Sequence, residues 1–398
     1  MMAGSSMARV VAALALATQT QAKGSGFGKS TYAMSDPLGW GTWMATYLPT
    51  QPLDGFPVNS TDQCVEWAKL CIDDGHLENC ESVSSSTFQM HAVGAYDRDS
   101  GDLSMADVET KVYGSALGDF SKFDVYMENN VGLLTQDLDA YVAAFDAAAV
   151  PYYATSFTEP SSSTTYYSVL VRAHTAPVVL EIMGSASSLL AARGDLPAHG
   201  APRGPRAGLA AFEARLSAAP RTVGANGMPV VTFTHKSFAS PDVARDKAYW
   251  TTAMQGREVA STDDAFAGAF LAKDNAEMLF VSGNATQGDY TLLEWEAYQN
   301  ALHARCIVSS TQGFDRLADS HVGHSFPGTD ITSYTETVKN WTATHPKYPL
   351  AYRYFAHGLF YAYMPNGWGM QLSGKLPDNP KGGGYDFCKV GVVPDCTA

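Results

Sequence analysis

The feature that most constrains this chain is an internal repeat. Three segments share one order: a run of alternating apolar and polar residues meets an aspartate that can cap a following helix, and further strand-like runs follow. They close on the strings LEIMG, LFVSG and MQLSG. The spacing from first-strand to last-strand position is 51, 45 and 50 residues, from Asn130 to Glu181, His235 to Phe280 and His321 to Gln371. Such constant spacing predicts a β-α-β-β-β repeat.

A fourth, weaker copy is predicted over residues 38–115. Its first strand is expected at residues 40–47 and its helix at residues 61–72, with later strands at residues 88–96 and 108–114. Lys111 falls at the last-strand position of this copy.

Length and composition indicate a folded chain with more than one domain. The 398 residues are 45% hydrophobic and 17% charged, with a formal net charge of −14. Nucleic-acid contact needs a clustered basic face, and a polybasic membrane anchor needs one too. We therefore expect a small-molecule substrate or ligand as partner, with no nucleic acid and no membrane. The oligomeric state stays open.

The N-terminus indicates a secretory address. Arg9 precedes an apolar run at residues 10–17, and Thr20-Gln21-Ala22 offers small residues at a cleavage site. Residues 1–22 are therefore predicted to be a signal peptide, with a disordered tail as the alternative. The mature protein is expected to be secreted or to lie in the lumen of the secretory pathway.

Glycosylation triplets and cysteines fit an oxidising compartment. The triplets begin at Asn59, Asn284 and Asn340. The cysteines fit no CxxC metal motif, so disulfides are their expected use; they are Cys64, Cys71, Cys80, Cys306, Cys388 and Cys396. Cys388 and Cys396 are expected to tie down a tail at residues 377–398, and the connectivity of the set stays open.

A shift in composition divides the chain at residues 185–227. This segment is rich in Ala, Gly and Pro and carries five arginines against Asp195 and Glu213. It is predicted to be an interdomain linker, with a basic strip that docks on an acidic partner as the alternative. The predicted domains are then residues 30–184 and 228–376.

The repeat resembles the vicinal oxygen chelate superfamily, which contains glyoxalase I, bleomycin and fosfomycin resistance proteins, and extradiol ring-cleaving dioxygenases. The strings that carry the resemblance are NVGLLTQDLDAYVAAF, HKSFASPDVARDKAYWTTAMQG and HVGHSFPGTDITSY. The resemblance implies an α+β fold in which tandem β-α-β-β-β modules pair into open, cup-shaped mixed sheets. Four modules would give an N-terminal and a C-terminal cup.

In that superfamily, metal ligands come from the first and last strands of paired modules. Carried over, the C-terminal pair offers His235 and His321, with Phe280 and Gln371 on the last strands. Two imidazoles and a carboxylate form the facial site of non-haem iron oxygenases, and here Gln371 replaces the carboxylate. The resemblance thus implies a divalent metal, Fe²⁺, Zn²⁺ or Mn²⁺, at His235, His321 and Gln371. A pair of core histidines is the alternative.

The N-terminal pair is expected to be degenerate and structural. Asn130 and Glu181 hold the ligand positions of the second module, and Lys111 holds that of the first. One carboxylate beside a lysine makes an ion pair rather than a metal site.

An aromatic run offers candidate catalytic groups. The residues that alternate along one predicted strand, and so share a face, are Phe355, His357, Leu359, Tyr361 and Tyr363. If this face lines the C-terminal cup, His357 is a candidate acid or base and Tyr361 a candidate catalytic residue beside it. The alternative is a packed aromatic face.

The resemblance implies a divalent-metal-dependent enzyme of the dioxygenase, isomerase or lyase type, acting on a small oxygenated or aromatic substrate in the C-terminal cup. Sequence motifs of serine hydrolases, zinc proteases and P-loop proteins are absent. The alternatives are a metal-free small-ligand-binding protein and a structural extracellular protein with degenerate cups.

Overall fold

The computed structural model of the chain describes residues 26–34, 36–52, 58–60, 65–72, 89–94, 130–158, 163–174, 179–194, 196, 216–217, 219, 221–240, 242–259, 266–270, 277–282, 286–287, 290–291, 321–344, 352–355, 359–365 and 369–375. Within these ranges, no helix combines the length and the apolar character that crossing a membrane requires.

The described residues form four modules. The first contains β1 (Gly26–Met34), α1 (Pro37–Tyr47), β2 (Thr50–Pro52), β3 (Val58–Ser60), β4 (Val65–Ile72) and β5 (Gln89–Gly94). The second contains β6 (Asn130–Thr135), α2 (Leu138–Ala147), β7 (Tyr152–Thr158), β8 (Thr165–Arg172) and β9 (Val179–Gly184), followed by α3 (Ser188–Ala191).

The third module contains β10 (Val231–Ser240), α4 (Val243–Ala248), a π-helical turn (Tyr249–Ala253), β11 (Arg257–Val259), β12 (Phe266–Phe270) and β13 (Glu277–Ser282). A short hairpin follows, with β14 (Thr286–Gln287) and β15 (Tyr290–Thr291). The fourth module contains β16 (His321–Asp330), α5 (Thr332–Thr344), β17 (Tyr352–Phe355), β18 (Leu359–Tyr363) and β19 (Gly369–Lys375).

The modules form two open sheets of the same topology. The second and third modules form an eight-stranded sheet, the middle sheet, with the order β11-β12-β13-β10-β6-β9-β8-β7. The first and fourth form a nine-stranded sheet, the terminal sheet, with the order β17-β18-β19-β16-β1-β5-β4-β2 and β3 beside β4. In each module the first strand pairs parallel with the last. The two first strands of each sheet pair antiparallel at its centre. The predicted α+β fold of open mixed sheets is confirmed.

The pairing of modules differs from the expectation that neighbours in sequence pair. The second module pairs with the third and the first with the fourth, so residues 30–184 and 228–376 do not form separate sheets. Residues 185–227 consequently connect two halves of one sheet, β9 to β10, instead of two domains. Sequence spacing cannot reveal this, because every module offers the same open first-strand edge to a partner.

The first module begins one element earlier than predicted. Residues 40–47, expected as a strand, lie in helix α1, whereas residues 65–72, expected in a helix, form strand β4. Asp36 starts the helix because its carboxylate accepts the N–H of Gly39 at 2.8 Å, and Pro37 follows at the first helical position.

The later part of this module is described only at β5, which confirms the strand predicted at residues 88–96. Residues 108–114, with Lys111, lie outside the described residues.

Aspartates also start the helices of the other modules, as the repeat predicts. Asp137 and Asp242 each accept a hydrogen bond from the backbone N–H three residues on, at 3.1 and 2.9 Å. Asp330 accepts from the N–H two residues on, at 2.8 Å. These carboxylates satisfy N–H groups that have no partner within the first helical turn.

The helices cover one face of each sheet, and the two helix-covered faces meet. The rings of Trp43 and Tyr47 on α1 lie 6.3 and 5.5 Å from the ring of Phe145 on α2. On the other side, the ring of Trp341 on α5 lies edge-on, 5.6 Å from Tyr249 in the π-helical turn. One cluster of buried side chains includes residues of all four modules. The face of each sheet opposite its helices is called the concave face.

The interior between the sheets contains a lysine. Lys236 on β10 is fully buried, and its Nζ lies 5.0 Å from the centre of the Phe238 ring. It also lies 6.0 Å from the ring of Tyr32, which belongs to β1 of the terminal sheet. Burial lowers the pKa of the Lys236 ammonium to about 7, because the charged form loses its hydration.

Candidate metal centre

The centre of the concave face of the middle sheet is formed by β6, β9 and β10. The register places Gly132 on β6 opposite His235 on β10 and opposite Glu181 on β9. Asn130, two residues before Gly132, points to the same face because side chains alternate along a strand. The backbone therefore directs Asn130, Glu181 and His235 toward one point above a glycine.

These three side chains meet and are buried. Nε2 of His235 lies 2.9 Å from Oδ1 of Asn130 and 3.3 Å from Oε2 of Glu181. The exposed fractions of Asn130, Glu181 and His235 are 1%, 0% and 2%. A ring nitrogen, an amide oxygen and a carboxylate oxygen thus converge away from water. These residues are called the triad.

Two features position the ring of His235. Oγ1 of Thr234 lies 3.0 Å from Nδ1, so this contact leaves Nε2 directed at the other two side chains. The register of β10 against β6 shifts between Phe233 and His235, which is a β-bulge that re-aims the side chain. Gly132 provides the space, because a Cβ at this position would stand within 2.6 Å of three ring atoms.

The donor set fits a divalent metal. Imidazole nitrogen and carboxylate or carbonyl oxygen are ligands of Zn²⁺, Mn²⁺ and Fe²⁺, and three protein ligands leave further positions for substrate. The Glu181 carboxylate would complement the charge of a cation. No cluster of three or more His, Cys, Asp or Glu side chains occurs within the described part of the chain. A metal at the triad would therefore need the amide oxygen of Asn130 as its third ligand.

The structure separates the three residues that the sequence predicts as one metal site. His235 lies at the centre of the middle sheet, whereas His321 and Gln371 lie on β16 and β19 of the terminal sheet. His235 instead meets Asn130 and Glu181, which the sequence assigns to a structural half. The physical reason is strand pairing, because β10 pairs with β6 and not with β16.

The terminal sheet repeats the register of the middle sheet. Gly323 pairs with Lys29 on β1 and with Gln371 on β19, as Gly132 pairs with its two partners in the middle sheet. His321 stands two residues before Gly323, at the position equivalent to Asn130. A lysine therefore occupies the histidine position, and the buried Gln371 occupies the glutamate position.

Phe280 does not hold the equivalent last-strand position of the third module. In the second module, Glu181 pairs with the residue two positions beyond the first-strand ligand. In the third module, the residue two positions beyond His235 is Ser237, and it pairs with Leu279. The prediction of Phe280 is therefore wrong by one residue, which moves a side chain to the opposite face.

In the first module the equivalent position is His91 and not Lys111. Thr31, two residues beyond Lys29, pairs with His91 on β5. The sequence gives no reason to select His91, because the strand order of this module is predicted wrongly.

The predicted aromatic strand consists of two strands. Phe355 on β17 pairs with Leu359 on β18, so the run is divided between two antiparallel strands. Phe355, Leu359, Tyr361 and Tyr363 still occupy one face, as predicted, because directly paired residues of neighbouring strands lie on the same face. His357 lies outside the described residues. Tyr361 pairs with Gln371 and therefore lies beside it on the terminal sheet, away from the triad.

The predicted modification sites are only partly described. Asn340 is exposed on α5, and Asn59 lies on β3, while Asn284 lies outside the described residues. Cys71 lies on β4, and five cysteines lie outside the described residues; they are Cys64, Cys80, Cys306, Cys388 and Cys396. Residues 1–25 and 376–398 lie outside as well. Glycosylation, disulfides and the signal peptide therefore stay predictions.

The concave face beside the triad is polar at one end and apolar at the other. Arg172 on β8 is buried and lies on the same face as Glu181. It stands two residues beyond Leu170, the residue that pairs with Glu181. On the other side, Leu134 and Met183 follow the triad positions by two residues on β6 and β9, and both are buried. The face thus offers a cationic group and an apolar surface on opposite sides of the triad.

Comparison with known proteins finds no matching protein-family model and no matching curated protein. Solved structures do match. Glyoxalase I from Zea mays matches at 10% identity and a TM-score of 0.45, over 87% of this chain and 92% of that one. A candidate dioxygenase from Bacillus subtilis matches at 9% identity and a TM-score of 0.46, over 90% and 87%. A fosfomycin resistance protein from Listeria monocytogenes matches at 13% identity and a TM-score of 0.21, over 37% and 90%.

The strand topology agrees with the fold that the sequence resemblance implies: the outer strands of each module pair parallel, and modules join through antiparallel first strands. The fold implied by the sequence resemblance is therefore confirmed.

Proposed function

We propose that the protein is a divalent-metal-dependent enzyme of the vicinal oxygen chelate type, with its site at the triad of the middle sheet. The observation that carries the proposal is the convergence of His235 Nε2 with the oxygens of Asn130 and Glu181, at 2.9 and 3.3 Å, on a buried concave face. The reaction would be of the dioxygenase, isomerase or lyase type on a small oxygenated substrate. This site lies between the second and third modules, whereas the sequence predicts one between the third and fourth.

Asn130, Glu181 and His235 would hold the metal, which we infer to be Fe²⁺, Zn²⁺ or Mn²⁺. When bound, such an ion acts as a Lewis acid that polarises a substrate oxygen. The burial of the triad supports this role, because electrostatic interactions are stronger where water is excluded.

The residues of the triad have distinct roles in this proposal. His235 would bind through Nε2, because Thr234 holds its Nδ1 side. Glu181 is the one carboxylate of the triad, so its Oε2 would supply the negative charge that complements the cation. Asn130 would orient the substrate or metal through its neutral Oδ1.

One observation favours a second function, metal-free binding of a small ligand. The same 2.9 Å contact joins His235 directly to Asn130, so these two side chains satisfy each other without a metal. In that case the cup would bind its ligand through the apolar surface and Arg172.

The test is the metal content of the full-length protein, purified without chelator and then dialysed against Zn²⁺, Mn²⁺ or Fe²⁺. We expect about one equivalent of divalent metal per chain. His235→Ala and Glu181→Gln should each abolish this stoichiometric binding. A matched control is His174→Ala, because His174 also contacts a carboxylate, that of Asp36 at 2.8 Å, but lies half-exposed outside the triad.

Metal retained by both triad variants would overturn the proposal, and so would wild-type protein that binds no metal under any of the three conditions. The second outcome, together with ligand binding that survives His235→Ala, would establish the metal-free alternative.

We also propose that the protein enters the secretory pathway, because residues 1–22 have the layout of a signal peptide. A reporter fused to these residues should enter the lumen and lose them by cleavage. A reporter that stays uncleaved in the cytosol would refute this.

A further inference from the structure

Part of the segment between β9 and β10 reaches into the middle cup, the concave side of the middle sheet. Leu216 is only 4% exposed and forms a buried cluster with Leu134, Tyr166 and Met183. This cluster is separate from the main core. Leu134 and Met183 lie on the concave face, so Leu216 covers that face from outside the sheet.

A hydrogen bond holds the backbone of the same residue. Gln136, just beyond the end of β6, donates its Nε2–H to the carbonyl oxygen of Leu216. Ala219 is also buried, whereas Ser217 is exposed. The cup therefore receives from its own chain a branched aliphatic side chain with a carbonyl acceptor beside it.

The segment is anchored on both sides of Leu216. Before it, Arg193 pairs with a carboxylate of α2 at 2.6 Å. After it, the side chain of Asn226 donates hydrogen bonds of 2.9 and 2.7 Å to carbonyl oxygens at the end of α1. Leu216 belongs to no strand of either sheet. Its departure from the cup would break no sheet hydrogen bond and would leave both anchors in place.

The position of the cluster relates it to the triad. Met183 follows Glu181 by two residues on β9, so the two side chains stand about 7 Å apart along the strand. Since the triad is almost fully buried, a ligand can reach it only after part of the cup opens.

We propose that Leu216 occupies an aliphatic subsite of the middle cup, which a substrate fills by displacing it. The matching ligand class is a small molecule with a leucine-sized aliphatic group, a carbonyl oxygen beside it for Gln136, and an oxygenated end for the triad. The last element rests on the proposed function. The subsite itself needs no metal.

The first experiment measures the access to His235 in chelator-treated, full-length protein. Diethyl pyrocarbonate modifies exposed imidazoles, and peptide mass spectrometry reads the modification of His235 alone. Leu216→Ala should raise its rate at least about tenfold, because truncating a buried leucine shifts the local opening equilibrium. The matched control is Leu190→Ala, which removes an equally buried leucine on α3, at the start of the same segment.

An unchanged rate in Leu216→Ala, or an equal increase in Leu190→Ala, would overturn the proposal. The second outcome would mean that general destabilisation, and not the removal of an occupant, exposes His235.

The second experiment measures binding of 4-methylpentanamide, with acetamide as the control without the aliphatic group. Leu216→Ala should bind 4-methylpentanamide about tenfold more tightly than wild type, since an intramolecular competitor is removed. Acetamide affinity should not change. Equal affinities of wild type and Leu216→Ala for 4-methylpentanamide would refute the subsite.

The two proposals fail separately. A chain that binds no metal but shows both Leu216 effects would refute the enzyme and support the subsite. A chain that binds one metal without either effect would refute the subsite alone.

Discussion

The middle and terminal sheets have the same topology and the same central glycine, but different side chains around it. Gly132 and Gly323 each pair with both neighbouring central strands. The equivalent residues are Asn130 and His321, Glu181 and Gln371, and His235 and Lys29. The middle sheet thus places a carboxylate where the terminal sheet has the neutral amide of Gln371, and an imidazole where it has a lysine. The imidazoles of the terminal sheet stand at other positions, those of His321 and His91.

This comparison separates the features that both sheets need in order to fold from those that one sheet could use to bind a metal. The glycine and the strand register recur in both sheets, so they serve the fold. The charge differs: one carboxylate favours a cation at the middle sheet, whereas the terminal sheet has a neutral amide at the equivalent position. We therefore expect one metal centre per chain, at the middle sheet.

The largest expected effect comes from making the middle sheet like the terminal one. Glu181→Gln should weaken metal binding by about 1,000-fold or more, because even outer-shell partners of metal ligands contribute 10- to 100-fold. Titration of the metal-free protein by calorimetry measures this. The reciprocal variant, Gln371→Glu, would add a carboxylate at the sheet that has His321 and His91 at its ligand positions, so it should gain metal binding; a variant that binds no more metal than wild type would contradict the comparison.

The next largest effect is the pH dependence of stability caused by Lys236, on the helix-covered face of β10. Lys236 lies one residue after His235, and the equivalent residue of β1 is Ser30, whose hydroxyl donates to Tyr32 at 2.6 Å. The folded-state pKa of Lys236 is lowered to about 7. The unfolded chain therefore binds more protons between pH 7 and the ordinary lysine pKa of about 10.4.

Wild-type stability should consequently contain a contribution that rises with pH across this window, on the order of 5 kcal/mol in total. Lys236→Met should remove this rise and be more stable than wild type at pH 7 and below. Urea unfolding at a series of pH values measures both effects. Parallel pH profiles of the two proteins would show that Lys236 is not the cause.

A smaller effect is expected at the central glycine. Gly132→Ala would place a Cβ within 2.6 Å of the His235 ring, so the ring must move, at a cost of about 1–3 kcal/mol. Metal affinity should fall with it. In the control Gly184→Ala, the new Cβ meets Leu138 at 3.1 Å and not the triad, so metal affinity should stay unchanged. Equal metal affinity of Gly132→Ala and wild type would contradict the role of this glycine.

The smallest effect is expected at the surface contact between the two halves of the molecule. His174 contacts the carboxylate of Asp36, the residue that caps α1, at 2.8 Å, and both are partly exposed. The pKa of Asp36 is held below its usual value, mainly by the N–H of Gly39 and further by His174. His174→Ala should therefore cost less than about 1 kcal/mol at pH 6, and this cost should vanish as the pH falls below the pKa of Asp36.

Thermal unfolding at pH 6, with His174→Ala made alone and in an Asp36→Asn background, measures this small difference. A cost that persists in the Asp36→Asn background would mean that His174 stabilises the fold by packing and not through Asp36.

The sequence predicts the modules well where local signals repeat. Asp137, Asp242 and Asp330 each start a helix as expected, because capping depends only on nearby backbone N–H groups. The first module is predicted wrongly although Asp36 and Pro37 carry the same signal. Its helix contains Gly39 and Gly41 and lacks a clear amphipathic pattern, and β4 has helix-like apolar spacing.

The site is predicted only in part, because it depends on contacts between modules. The sequence identifies Asn130, Glu181 and His235 as residues in ligand positions, but it places them in different cups. Which first strands pair is decided by contacts between modules, and no single module contains that information. The one-residue error at Phe280 has a similar origin, because the strand register is set by pairing across β10.

The metal centre can be located by anomalous diffraction from crystals of the full-length protein grown with Zn²⁺. We expect one strong peak at about 2.0–2.2 Å from His235 Nε2 and from oxygens of Asn130 and Glu181. A peak beside Gln371 in the terminal sheet, or no peak at either sheet, would contradict the proposed site.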